Sequence, residues 1–408
     1  MHVIFMAPNF PANQRQFVRA LSQAGAYVTG IGDVSGHHLD PELKGWLSGY
    51  EHVRSLADEE AVFQAVRRIQ KRGPWVHRLE ATIEGMMLTA AHVRERAAIP
   101  GLSVETVTLC RDKFEMKQFL RKRGIPCARN AAVDTAEKAQ AFVEEVGYPV
   151  ILKPRDGAGA HSTYRLNNEE DLKKALAETG LTHTPRFFTM EEFVSGHEGF
   201  YDTLTCNGKV IFEGISHYYP NVLEGMRERW ISPQIVITNR MQASGYQELR
   251  TMGRKVLSEM GLGDTSTHME WFFGPKGLSF SEIGARPPGC RHWDLYNYAN
   301  DCDLYLAWAQ SIVHGESDIK PSRHYAAGII SIRPSQDGKV CGYDGLNKIQ
   351  QRYGEWILHA KIPPVGSNTV PIEAGYLANG WLWVRHPDYD QCRAMLDDIG
   401  RTLKIYAR

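Results

Sequence analysis

Residues 268–289 read HMEWFFGPKGLSFSEIGARPPG, and no other stretch narrows the possible folds as far. Apolar residues recur on both sides of Gly274-Pro275-Lys276-Gly277, the pattern of a buried β-hairpin. Pro275 suits the first central position of a type I turn. Gly277 suits the left-handed residue that closes a three-residue loop. Such a loop pairs Gly274 with Leu278. Counting back along both strands then sets Glu270 opposite Glu282, with Phe272 and Phe280 on the same face. Directly opposed side chains have Cβ atoms about 4.5–5.5 Å apart, where two carboxylates repel. One acid can hold a proton, a cation can sit between them, or both can lie on a solvated sheet face.

Upstream, YPVILKP reads as a buried strand ending in Lys153, and RDGAGAHST follows it with Gly157, Ala158, Gly159, His161 and Ser162. Backbone N–H groups approach phosphate oxygens where side chains are small, and a lysine adds a point charge. GxxxxGK[ST] is absent, so this is not a P-loop; a plain surface loop is the competing reading. Lys113 stands at a helix start in CRDKFEMK, where a solvated lysine is the ordinary case. In MEEFVSGHEGF, Glu191, Glu192, Phe193 and Val194 suit either an edge strand or a linker offering backbone groups to an adenine edge. Glu198 would then accept ribose hydroxyls. Arg286 in GARPPG suits bidentate contact with phosphate or carboxylate, or a structural ion pair. Taken in order, these segments form an inventory for binding a nucleoside triphosphate with magnesium.

The rest of the chain supplies a frame. HVIFMAPNF, RQFVRALSQAG and AYVTGIGD give a β-α-β opening, and EEAVFQAVRRIQKRG adds a helix with Val62, Val66 and Ile69 on one face. No GxGxxG follows the first strand, so a dinucleotide site is not supported there. Residues 1–106 form one expected α/β unit, 107–312 a core with a smaller lobe over about 130–192, and 313–408 a C-terminal α/β piece. In the smaller lobe Asp134 and Glu137 are spaced like a capping box, and Asn168 is placed to cap a second helix. Asn207-Gly208 suits a type I′ hairpin turn. Lys+Arg and Asp+Glu are both 47, which argues against a nucleic-acid or anionic-membrane footprint. The seven cysteines form no CxxC, and no apolar run reaches a membrane span. A soluble cytoplasmic protein is the expectation.

At these residues the sequence resembles the ATP-grasp superfamily, and within it the carboxylate–amine ligases of the L-amino acid ligase (dipeptide synthase) type. RDKFEMKQFLRKRGIP and HMEWFF…SEIGARPPG carry the closer likeness. The resemblance implies an α/β (α+β) ATP-grasp fold with an N-terminal parallel α/β domain, a small lid lobe and a larger C-terminal lobe. It implies that Lys113 and Lys153 contact ATP phosphates and that the loop 156–162 closes over them. Glu191 through Val194 would line the adenine pocket and Glu198 would hold the ribose. Glu270 and Glu282 would ligate one or two Mg²⁺, with Mn²⁺ able to substitute, and Arg286 would stabilise the transferred phosphoryl group. Many superfamily members carry an Asn ligand two residues after the second acid. Here that place is Gly284, which bears on the second metal. The implied substrates are a small carboxylate and an amine, amino acids foremost, and the implied assembly is a homodimer. Two other readings stand beside the ligase: a bicarbonate-activating carboxylase of the biotin carboxylase or aminoimidazole ribonucleotide type, and a non-catalytic ATP-binding protein.

Overall fold

The computed structural model describes residues 1–157, 162–372, 375–377 and 379–408. Three main sheets organise the chain. The first has four parallel strands in the order Gly49–His52, Tyr27–Gly32, His2–Met6 and Arg78–Glu80. His2–Met6 lies at its centre and is buried throughout, as expected of a parallel strand covered on both faces. The helix Glu59–Arg72 turns Val62, Ala65, Val66 and Ile69 inward. Asp58 caps it by accepting from the Ala61 N–H at 3.0 Å.

The second sheet is antiparallel, in the order Asn130–Val133, Phe188–Glu192, Val150–Pro154 and Tyr164–Leu166. Helices Ala136–Val146 and Glu169–Thr179 pack onto it through Phe142, Val143, Leu172 and Leu176, which meet Val150, Leu152 and Met190. Asn168 caps the second helix, accepting from the Asp171 N–H at 2.9 Å. The first helix departs from the expected capping box. Thr135 is its cap, accepting from the Lys138 N–H at 3.4 Å, and Asp134 pairs instead with Lys138 at 2.8 Å. The hydroxyl one residue later sits where the chain is still extended and can turn back onto the first turn.

The third sheet is the largest, with eight antiparallel strands. Their order is Gly277–Gly284, Ser266–Gly274, His197–Cys206, Lys209–Tyr219, Gln234–Ile237, Ala326–Ile332, Gly380–His386 and Ile357–Lys361. Asn207 and Gly208 both have positive φ, as a type I′ turn requires. Three of these strands come from the last hundred residues, so that region continues the central sheet. One face of the sheet packs Tyr201, Met269, Trp271, Phe280 and Ile283 against the helix Gln247–Glu259. The other face meets helices His292–Asn300 and Leu304–His314. Phe17 of the N-terminal helix Gln14–Gln23 joins them there, with its ring 5.2 Å from Trp293, 4.8 Å from Tyr305 and 5.0 Å from Trp308.

The hairpin reaches the expected pairing of Glu270 with Glu282 by another route. Its turn is tighter than expected, pairing Gly274 with Gly277 and Phe273 with Leu278, and Phe272 faces Ser279 rather than Phe280. A bulge between Glu270 and Trp271 of one strand, opposite the extra Ser281, restores the register of the acids. The bulge also separates Phe280 from Glu282. Phe280 pairs with Trp271 in the apolar core, while Glu282 keeps its place opposite Glu270.

Candidate active site

The two acids are held apart from one another's charge by their neighbours. His268 Nε2 is 3.8 Å from Glu270 Oε1, and Lys113 Nζ is 3.4 Å from Glu282 Oε2. Burial alone would raise the Glu270 carboxyl, but His268, Lys153 and Lys113 outweigh it and hold it below its usual value. His268 Nδ1 donates to Asp202 Oδ1 at 2.7 Å, on the adjoining strand. Burial would push this imidazole down; Asp202 and Glu270 keep it up at about 9. Tyr296 in turn donates to Asp202 Oδ2 at 2.8 Å. Its ring reaches Asp202 across Gly214, where a Cβ would lie 2.4 Å from the ring.

Lys113 opens the helix Lys113–Arg121 and is buried. Asp112 caps that helix, accepting from the Phe114 and Glu115 N–H groups at 3.0 and 3.2 Å. The same carboxylate takes both Arg155 Nε, at 2.9 Å, and Arg155 Nη2. The Lys113 N–H donates to the Arg155 carbonyl at 2.9 Å. One aspartate therefore joins the start of this helix to the end of the strand Val150–Pro154, which carries Lys153. Lys113 Nζ also donates to the Gly157 carbonyl, at the entrance of the glycine-rich loop. Ser162 lies at the far end of that loop with φ +53°. Ala158, Gly159 and His161 lie outside the described residues.

Lys153 Nζ is 3.0 Å from Glu191 Oε2, and Lys117 Nζ is 2.6 Å from the same oxygen. All three are buried or nearly so. Burial would raise Glu191, yet the two lysines hold it at about 2. Glu191 Oε1 has no partner among the described residues. Glu192 points elsewhere, to Arg129 at 3.1 Å and Lys276 at 3.7 Å. Arg165 lies over the Phe193 ring at 4.2 Å, and Val194 is half-buried. Glu198 accepts from the Val222 N–H at 2.7 Å, and burial, Glu270 and Glu282 push its carboxyl up to about 8.

Arg286 closes the arrangement. Its Nε donates to Glu84 Oε2 and its Nη1 to the Pro287 carbonyl at 2.8 Å. Glu84 Oε1 accepts from Arg111 Nη1 at 2.5 Å, and Arg111 Nη2 donates to the Asp156 carbonyl at 2.6 Å. Sequence reasoning missed Lys117, Asp202, Glu84 and Arg111. Lys117 carried a signal: it falls one turn after Lys113, between the inward Met116 and Leu120.

The ATP-grasp domain family matches residues 118–299, the span that holds the second sheet, the hairpin and Arg286. This chain carries an ATP-grasp domain. An L-arginine-specific L-amino acid ligase of Bacillus subtilis is 28% identical over 254 residues, 61% of this chain and 60% of that protein. The chain thus aligns with less than two thirds of this relative's length. The ATP-grasp fold extends over the whole chain. An L-amino acid ligase structure from Bacillus licheniformis superposes with a TM-score of 0.77 at 18% identity, covering 100% of this chain and 98% of that one. The biotin carboxylase domain of the Hydrogenobacter thermophilus 2-oxoglutarate carboxylase, a complex with MgADP and bicarbonate, gives 0.69 at 17% identity. It covers 99% of this chain and 90% of that one. Among the described residues no helix is long and apolar enough to cross a membrane.

Proposed function

We propose that this chain is an ADP-forming carboxylate–amine ligase, with amino acids as the substrate class. The observation that carries the reading is a convergence. The paired Glu270 and Glu282 meet Lys113 from the helix start, with Lys153 from the lid sheet and Arg286 from the hairpin end acting on the same two acids. The ligase relative in Bacillus subtilis supports the same class.

Magnesium takes one or two carboxylates together with phosphate oxygens and water. Glu270 and Glu282 fit that demand. Glu198, whose carboxyl burial and these two acids push up, would feel less of their repulsion beside a divalent cation. A Mg²⁺ held by the pair would neutralise charge on the ATP phosphates. Gly284 brings no side chain to a further ion.

In this reading Lys113 and Lys153 hold phosphate oxygens, and the Glu191–Val194 segment lines the adenine. A substrate carboxylate oxygen attacks the γ-phosphorus, the bond to the bridging oxygen breaks, and ADP leaves. Arg286 faces the transferred phosphoryl group. The amine nitrogen then attacks the acyl carbon and loses a proton, the bond to phosphate breaks, and the amide forms. The lid sheet excludes water from the acyl phosphate.

The test is a phosphate-release screen over amino acid pairs with ATP and Mg²⁺ and mass detection of products. Release that requires two amino acids and yields their dipeptide is expected. Release that requires bicarbonate and ignores amines would favour the carboxylase reading. Glu282→Gln should cost at least about a hundredfold in turnover, because it removes a ligand, while the fold survives: the relieved repulsion with Glu270 offsets the lost ion pair with Lys113. Near-parental activity in that variant contradicts the metal assignment.

A further inference from the structure

Glu84 and Arg286 are 202 residues apart, yet the structure brings the acid of the N-terminal unit against the arginine of the hairpin. Both carboxylate oxygens of Glu84 are engaged, Oε2 by Arg286 Nε and Oε1 by Arg111 Nη1. Arg286 Nη1 is bound by the Pro287 carbonyl, and Pro287-Pro288 stiffen that segment. With Nε and Nη1 taken up, Nη2 has no acceptor among the described residues. A guanidinium is planar, so fixing two of its nitrogens fixes where the third points.

Gly284 belongs to the same arrangement. A Cβ there would lie 3.2 Å from Glu84 Oε2 and 3.5 Å from Arg286 Cγ. It is a strand residue and is not among the glycines at positive φ. The glycine therefore answers to the space the Glu84 carboxylate needs and not to backbone conformation. Arg111 extends the contact to the Asp156 carbonyl, at the start of the glycine-rich loop.

We propose that Glu84 is a positioning residue for Arg286: it enters the space left by Gly284, holds Nε, and leaves Nη2 for the transferred phosphoryl group. The role of Nη2 rests on the ligase reading above; the holding of Arg286 does not. Glutamine at 84 keeps the shape but offers one acceptor to two arginines.

Two measurements test this. The first follows arginine Nε–H resonances in the ligand-free, ¹⁵N-labelled protein. The Arg286 signal, identified by its loss in Arg286→Lys, is expected to shift in Glu84→Gln. An unmoved signal overturns the pairing. The second measures amide formed and phosphate released from ATP, Mg²⁺ and the twenty standard amino acids pooled. Glu84→Gln is expected to lower kcat at least tenfold with the ATP KM within twofold. It should also release more than one phosphate per amide, because a misplaced arginine leaves the acyl phosphate to water. In an Arg286→Lys background the same change should add less than twofold. A full tenfold loss in that background, or parental kcat and coupling in Glu84→Gln, overturns the positioning role. Where Glu84→Gln fails to fold, Gly284→Ala decides, since it crowds the carboxylate without removing it: a threefold or greater loss of coupling is expected, and parental coupling overturns the proposal. Absence of amide from the parent protein would fault the ligase reading, while the resonance measurement would still decide whether Glu84 holds Arg286.

Discussion

Glu191, on the strand Phe188–Glu192, and Glu198, on the strand His197–Cys206, are both buried carboxylates, and their neighbours drive them in opposite directions. Two lysines hold Glu191 at about 2, below its ordinary 4.5, so the stability it lends is present above about pH 4.5 and is lost as pH falls toward 2. That gap corresponds to on the order of 3 kcal/mol. Glu198 stands at about 8, so its contribution has the reverse sign: full below about 4.5 and lost as pH rises through 8. Urea denaturation should therefore show a steep acid loss of stability only below about pH 4.5, followed down to pH 3, where Glu198 is protonated in both the folded and the unfolded chain. Lys117→Met should flatten that slope and cost about 3 kcal/mol at neutral pH, because it leaves Glu191 half-compensated. An unchanged acid slope in Lys117→Met would show that Lys117 does not stabilise the Glu191 charge. Much at this scale was legible in the sequence. Lys113, Lys153, Glu270, Glu282 and Arg286 stand out as residue types in an order that suits phosphate chemistry. Lys117 was not read because a lysine on a helix is usually solvated, and its burial depends on a strand more than seventy residues away.

Among the elements, the hairpin shows how a right pairing can come from two departures that cancel. The turn is one residue tighter than its Pro and Gly suggest, and the bulge at Ser281 shifts the strand back. Alternation alone could not find the bulge, because it arises from Phe280 seeking the core beside Trp271 while Glu282 stays opposite Glu270. The helix Lys113–Arg121 was easier to read, yet the double duty of Asp112 was not. Its carboxylate caps the helix and clamps Arg155, just past the strand that carries Lys153. Asp112→Ala should cost about 1 kcal/mol for the cap and a further 1–2 kcal/mol for stranding Arg155. Because Lys113 is displaced with it, the ATP KM should rise several-fold. Chemical denaturation and steady-state kinetics check both effects, and a stability loss with an unchanged KM would separate the cap from the site.

Across the whole molecule, the contacts between the N-terminal unit and the ATP-grasp core include two of different character. One is aromatic: Phe17 is 1% exposed and lies among Trp293, Tyr305 and Trp308. Phe17→Ala should cost about 3–5 kcal/mol in a denaturation experiment, and a loss under 1 kcal/mol would mean the units barely depend on this seam. The other is polar: Glu84 between Arg111 and Arg286. The sequence revealed a parallel α/β opening and a nucleotide-binding middle, since both rest on local periodicity and motif order. It could not reveal that the opening unit lends a carboxylate to the site, because long-range packing alone creates that contact. In the ligase reading, a substrate carboxylate becomes an acyl phosphate before an amine displaces phosphate. The most direct test is oxygen transfer. With the carboxyl oxygens of the acid substrate labelled with ¹⁸O, one labelled oxygen should appear in the inorganic phosphate, in proportion to the amide formed. Unlabelled phosphate, or formation of AMP and pyrophosphate, would rule out an acyl phosphate formed with release of ADP.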